Sequence, residues 1–205
     1  MINWDNLQAI HLDVLKEIGN IGAGNAATSL AVMTGKKIDM DVPTAAIIDM
    51  QSLIKLIGDE EEVVICINLE VLGDSPSNVF FVIKENSALT LVDKLMGLPE
   101  GSYTSIDETA QSALSEIGNI LTGSILSSMS MMTNLNMKPS VPALAHDMLG
   151  AVISAAMLET GYFDDRLLII ETRFFDESIA FDGYFFMLPH VGSLEKIFNS
   201  VGIEL

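Results

Sequence analysis

The sequence predicts an α+β fold: a pseudo-two-fold duplicated unit whose antiparallel sheet carries two long helices packed on one side. Three observations point there. The string Glu-Ile-Gly-Asn occurs at Glu17–Asn20 and again at Glu116–Asn119, an offset of 99 that also aligns Ile21 with Ile120, Gly24 with Gly123, Val42 with Val141 and Pro43 with Pro142. An aromatic strand followed by a short amphipathic helix ending in Gly appears at Asn78–Gly97 and, at a slightly larger offset, at Asp182–Gly202. Short runs rich in Val, Ile and Phe lie between turn formers, as strands do. Self-similarity at a fixed offset marks a repeated structural unit. The chain reads as a single domain of two halves, about 12–100 and 106–205, joined by the turn-rich GLPEGSYTS at about 97–105.

Each half runs through the same elements. A long helix comes first, near Asp5–Met33 and Asp107–Met132, with Asp107 or Ser105 as cap of the second. A strand pair broken by proline follows, near Lys36–Met50 and Lys138–Met148, because proline cannot donate to a ladder. A middle helix is expected near Gln51–Ile57 and Gly150–Glu159. Two strands come next, near Glu62–Val71 with Asn78–Ile83, and near Arg166–Phe175 with Ile179–Leu188. A short helix closes each half.

Hydrophobic residues make up 49% of the 205 and charged residues 19%, which supports a filled core rather than disorder. The net charge of −18 repels phosphate backbones and anionic membranes, so neither nucleic acid nor a lipid surface is an expected partner. No apolar run approaches the ~18–20 residues of a membrane span. The start, MINWDNLQAIHLD, lacks the basic region and apolar core of a secretion signal. Cys66 is the only cysteine, so no intrachain disulfide forms, and a cytoplasmic protein fits. Within VVICINL, Cys66 reads as a core filler.

The first long helix has a polar stripe. With Asp13 at 0° and about 100° per residue, Glu17 falls at about 40°, Asn20 at about −20° and Gly24 at about 20°. Leu15, Ile18 and Gly22 lie opposite, on the core side. The second helix repeats this with Ser112, Glu116, Asn119 and Gly123 against Leu114, Ile117 and Leu121. A helix-interior Gly costs ~1 kcal/mol relative to Ala. On a wet face no core packing offsets that cost, but a missing side chain lets another molecule lie close. Glu and Asn on a wet face are ordinarily solvation. Here both recur while neighbours drift, as Lys16/Ser115 and Asn25/Ser124 have, and that points to a role. Gly19 and Gly22 read as close helix packing.

Other motifs are weaker. GNIGAGN lacks the dinucleotide spacing, a preceding strand and the Lys-Ser/Thr of a Walker loop. His11, His146 and His190 show no metal-ligand spacing, so no metal site is expected. No Gly-x-Ser-x-Gly elbow is present. SMSMMTNLNM (Ser128–Met137) reads as helix-end core.

Asp13, Glu17, Asn20 and Pro43 fit the pattern Asp/Ser-x3-Glu-x2-Asn-x22-Pro, and Ser112, Glu116, Asn119 and Pro142 fit it again. In these positions the chain resembles the CheC family of bacterial chemotaxis phosphatases, within the CheC/CheX/FliY group, over essentially its whole length. The resemblance implies a compact pseudo-symmetric monomer acting on the phosphorylated response regulator CheY. It implies Glu17, Asn20, Glu116 and Asn119 as the catalytic residues, with Asp13, Ser112, Pro43 and Pro142 in support. Some members also bind CheD, a receptor deamidase. The region implied for that contact is a helix at about Asp147–Leu158, whose small and apolar residues suit a partner face and a core equally.

The chemistry is compatible with so few groups. A receiver domain carries its phosphoryl on an aspartate beside its own Mg²⁺ and a Lys, and its hydrolysis needs a water placed in line. An amide can hold that water but cannot take its proton. An exposed carboxylate is a poor base at neutral pH and serves better by pairing with the receiver's Lys. A hundredfold acceleration needs ~2.7 kcal/mol, within reach of orientation alone. No cofactor of the chain's own is then required; the Mg²⁺ comes with the substrate. Asp13 and Ser112 are each placed to hydrogen-bond beside the glutamate one turn away. The rival reading is a non-catalytic adaptor that binds CheY-like or CheD-like partners.

Overall fold

The computed structural model describes residue 4 and residues 7–35, 37, 39–160, 166–175 and 180–204, leaving aside the side chains of Thr34, Pro43, Glu159, Thr160, Phe174, Phe175, Ala180 and Phe181. The elements run α1 (Ala9–Thr34), β1 (Asp39–Asp49), α2 (Met50–Ile57), β2 (Val63–Gly73), β3 (Ser77–Lys84) and α3 (Glu85–Met96). Then come α4 (Glu108–Thr133), β4 (Met137–Pro139), β5 (Ala143–Met148), α5 (Leu149–Thr160), β6 (Arg166–Phe175), β7 (Ala180–Pro189) and α6 (Ser193–Ser200).

The strands form one antiparallel sheet in the order β1-β6-β7-β3-β2, with β4 and β5 both on the outer edge of β2. At its centre β3 pairs with β7, and Phe80 stacks on Phe186 with ring centroids 4.8 Å apart. Each half's first strand lies at the edge of the other half's strands: β1 on β6, β4 and β5 on β2. Helices cover both faces. Ile65, Ile67, Phe81, Leu168, Ile170 and Phe185 pack beneath α1, α3, α4 and α6. Val64, Cys66, Phe80, Val82, Leu167 and Ile169 pack beneath α2 and α5. Alternate strand residues thus enter different cores, which is why the strands read as continuous apolar runs. Burial pushes the Cys66 thiol up to about 12, as befits a core filler.

Several boundaries differ from expectation, each for a local reason. Helix α1 begins at Ala9 rather than Asp5, because Gln8 caps it and its backbone N–H donates to His11 Nδ1 at 2.9 Å. Asp5 and Asn6 lie outside the described residues. Asp107, not Ser105, caps α4, its carboxylate accepting from the Ala110 N–H at 2.8 Å. Pro43 does not break its strand. β1 is continuous, and the register slips between Asp41 and Thr44 so that Val42 and Pro43 form a bulge on an edge strand, where a missing donor is tolerated. The second copy is broken: β4 ends at Pro139, β5 starts at Ala143, and Pro142 sits in the gap. The methionine cluster is only partly core, with Met129 and Met137 buried but Met131 and Met132 exposed.

The connector is tied to the first half by one side chain. The buried Asp93 carboxylate of α3 accepts from the N–H groups of Gly101 (2.7 Å), Ser102 (3.1 Å) and Tyr103 (2.9 Å). That supplies charge-assisted partners for three loop donors.

Candidate functional site

Helices α1 and α4 approach most tightly where Gly22 of α1 meets Ile125 of α4. A Cβ on Gly22 would lie 2.8 Å from the Ile125 Cα, so only Gly permits this approach. Close by, Asn25 Nδ2 donates to Ser128 Oγ at 3.4 Å. Gly19 seats α1 against Val42 and Ile170, and Gly118 seats α4 against Ile67. The packing role expected of Gly19 and Gly22 is therefore the one they perform. Leu15, Ile18, Leu114, Ile117 and Leu121 are buried, as the helical period requires.

Gly22 lies half a turn from Asp13, so each polar stripe is on the side of its helix away from the crossing. Asp13 and Glu17 are exposed on α1, and Ser112 and Glu116 on α4; Asn20 and Asn119 are half-buried. A Cβ at Gly24 or Gly123 would meet nothing within 4 Å. The structure thus brings Asp13, Glu17, Asn20 and Gly24 together on one helix face and Ser112, Glu116, Asn119 and Gly123 on the other. Asp13 and Ser112 do not form the expected hydrogen bonds. Among the described residues, the side chains of Asp13, Glu17, Ser112, Glu116 and Asn119 make no hydrogen bond or ion pair.

Asn20 is the exception. Its Oδ1 accepts the backbone N–H of Val42 at 3.0 Å. The bulge makes this possible, because it releases Val42 from the ladder between the Asp41–Arg173 and Thr44–Glu171 pairs. Sequence reasoning placed Pro43 in the site but missed the amide before it. The signal available was a proline 23 residues beyond the Asn, which cannot donate to the ladder and so favours a bulge.

The aligned position in the second half behaves differently. Ser140 exchanges backbone and side-chain bonds with Glu70: its N–H donates to the Glu70 carbonyl (2.8 Å), and its Oγ accepts the Glu70 N–H (2.9 Å). Strand pairing stops there and Val141 turns outward, 87% exposed. Its amide is not delivered to Asn119. Pro142 is half-buried beside it.

Each stripe also borders a hollow. One of about 330 Å³ at α4 is lined by Met33, Leu95, Met96, Thr109, Ser112 and Glu116, an apolar wall facing the polar stripe. The other, about 540 Å³, lies past Asn20 on α1, between Gly24, Ala27, Thr28, Val32 and Lys37, Asp39, Met40. Sequence reasoning missed both walls, since Met33 and Leu95 meet α4 only in the folded chain.

The remaining candidates separate from these sites. Asp147 is not on a helix but near the end of β5, and its Oδ1 accepts its neighbour's N–H, that of Met148, at 2.7 Å. Helix α5 buries Val152, Ile153 and Ala156 and exposes Ala151, Ser154, Ala155 and Leu158, so its apolar residues serve core and surface at once. The histidines are dispersed: His11 is buried edge-on against Phe198, His146 lies 2.8 Å from Glu85, and His190 faces Asn78. No group of three His, Cys, Asp or Glu suited to a metal ion occurs among the described residues. Nor is any described helix long and apolar enough to cross a membrane.

Two copies of one Glu/Asn helix face on the same side of a shared antiparallel sheet define a duplicated α+β class, and comparison places it. The model of the CheC-like family matches residues 10–47 and 110–146, the two segments that carry the stripes and the prolines. A protein from Bacillus subtilis named CheY-P phosphatase CheC is 34% identical over 98% of this chain and 99% of its own length. The flagellar motor switch phosphatase FliY of the same organism is 33% identical over 62% of this chain and 33% of its own length. Among solved structures, Thermotoga maritima FliY superposes with a TM-score of 0.78 at 20% identity, covering 96% of this chain and 98% of that one, so the fold is shared. The chain belongs to the CheC-like family.

Proposed function

We propose that this protein hydrolyses the aspartyl phosphate of the response regulator CheY, using Glu17 with Asn20 and Glu116 with Asn119. The observation that carries the reading is the presence of two stripes, each an exposed Glu and a half-buried Asn beside a bare Gly, on a whole-length relative of a CheY-P phosphatase. Each glutamate pairs with the receiver's Lys and seats the helix in its cleft. Each asparagine holds a water in line with phosphorus. The water oxygen bonds to phosphorus as the bond to the aspartate oxygen breaks, giving inorganic phosphate and a free aspartate. The Mg²⁺ belongs to the receiver, and the chain brings no cofactor of its own. Pro43 and Pro142 act on the strand behind each helix, and Asp13 and Ser112 border the docked receiver. We read the chain as one domain of two halves, acting as a cytoplasmic monomer. The exposed α5 face, with Asp147 on the strand just before it, is the surface we assign to CheD.

The test is phosphate loss from an acetyl-phosphate-labelled CheY-type receiver. Wild type is compared with Glu17→Ala/Asn20→Ala, Glu116→Ala/Asn119→Ala, and all four changes together. Acceleration is expected to fall with each pair and vanish in the fourfold variant. Full acceleration in that variant would refute the assignment. A wild type that binds the receiver without accelerating the reaction would be an adaptor.

A further inference from the structure

We infer that the backbone N–H of Val42 is a positioning group for the α1 site, and that the α4 site has no such group. The inference rests on the reading of Asn20 given above. An asparagine amide has two ends of opposite character: Oδ1 accepts and Nδ2 donates. Which end meets the phosphoryl oxygens and which meets the water decides whether the residue helps. At α1 the question is settled before any partner arrives. The Val42 N–H occupies one lone pair of Asn20 Oδ1 at 3.0 Å. The amide plane is thereby held, Nδ2 is left free to donate to a phosphoryl oxygen, and the second Oδ1 lone pair remains for a hydrogen of the attacking water.

The bond is local in effect but distant in origin. Val42 itself is buried, and its side chain packs on Gly19, the residue before Asn20. Strand and helix are therefore locked together at the site. The bulge in β1, where Val42 and Pro43 oppose the single Thr172 of β6, takes the amide out of the ladder. Pro43, which follows, has no N–H that would draw the strand back into the ladder. At α4 the same motif produces a different result. Strand pairing ends at Ser140, Val141 is 87% exposed, and the Asn119 side chain makes no hydrogen bond among the described residues. Its amide must be ordered during each encounter, at an entropic cost that Asn20 has already met in folding. The α1 site is the preorganised one.

The test replaces a single atom. Incorporating the α-hydroxy acid analogue of valine at position 42 turns the amide N–H into an ester oxygen and leaves the side chain intact. It is placed in the Glu116→Ala/Asn119→Ala protein, where only the α1 site operates, and in the Glu17→Ala/Asn20→Ala protein, where only the α4 site does. A hydrogen-bond scalar coupling between Val42 ¹⁵N and Asn20 ¹³Cγ in unmodified protein is expected, and it reads the contact without reference to turnover. The ester is expected to lower kcat of the α1-only protein at least tenfold with little change in KM. The α4-only protein, whose α1 site is already removed, should be unaffected. Absence of the coupling would overturn the inference. So would a measurable turnover in the α1-only protein that the ester leaves unchanged, or an equal loss in both backgrounds, which would mean a general structural defect. Coupling present with no α1-only turnover at all would instead strike the catalytic assignment of Glu17 and Asn20, and the inference with it.

Discussion

The α1 and α4 sites present the same two side chains on the same helical face, yet the strand behind each is built differently. Behind α1 the strand is continuous and bulged, and it hands an amide to Asn20. Behind α4 the strand is interrupted, Ser140 satisfies Glu70 instead, and the Asn119 side chain has no hydrogen-bond partner among the described residues. Duplication has kept the helix faces alike because helical geometry repeats wherever the spacing repeats. It has not kept the supporting strands alike, since their course depends on which partner strand each meets. The hollows differ too: an apolar wall of Met33, Leu95 and Met96 beside Glu116, and a larger hollow beyond Asn20. Two helix faces with the same residues can therefore differ in how firmly they are organised and in what surrounds them.

The helix crossing is where this comparison is most easily broken, because both sites hang from it. Gly22→Leu would drive a side chain into the Ile125 backbone, and we expect a loss of about 3 kcal/mol in urea unfolding with both sites impaired together. A change under about 1 kcal/mol would show that the crossing is not close-packed. Next comes Asp93→Ala, which removes the acceptor of three connector donors found only at the end of the first half. Water reaches part of that loop, so about 2 kcal/mol is expected rather than the cost of three fully buried donors. Equal stability in the variant would mean that the connector holds itself.

The asparagines provide a sharper contrast. Both Asn20→Ala and Asn119→Ala gain about 0.5 kcal/mol of helix propensity. Asn20→Ala also leaves the Val42 N–H without its acceptor, so it should come out about 1 kcal/mol less stable than Asn119→Ala, which loses no bond among the described residues. Matching changes in thermal or urea melts would erase the difference drawn between the sites. Opposite in sign is the effect of Gly24→Ala and Gly123→Ala. The added methyl meets nothing, so each should stabilise by up to about 1 kcal/mol through helix propensity. If the bare glycine exists to admit the receiver, each change should also slow dephosphorylation at its own site. Stabilisation with unaltered turnover would leave the glycines unexplained.

The sequence by itself determined the helix faces, the duplication and the strands. Glu17 and Asn20, and Glu116 and Asn119, are neighbours through the 3.6-residue period alone, so no knowledge of the rest of the chain was needed to place them together. The apolar runs of β2, β3, β6 and β7 were equally legible, and so was the Asp107 cap. Tertiary structure decided what holds the sites. Whether Pro43 breaks a strand or bulges it depends on β6, whose residues Arg173 and Glu171 fix the register from about 130 positions away. Whether Val42 reaches Asn20 follows from that register, and whether Val141 fails to reach Asn119 follows from Ser140 meeting Glu70. The close approach of Gly22 to Ile125, and the hollow that Met33 shares with Ser112 and Glu116, also come from packing between the halves. Local periodicity acts over a few residues and can be read along the chain. Strand register and helix crossing are set by non-local pairing, and no spacing within either segment encodes them.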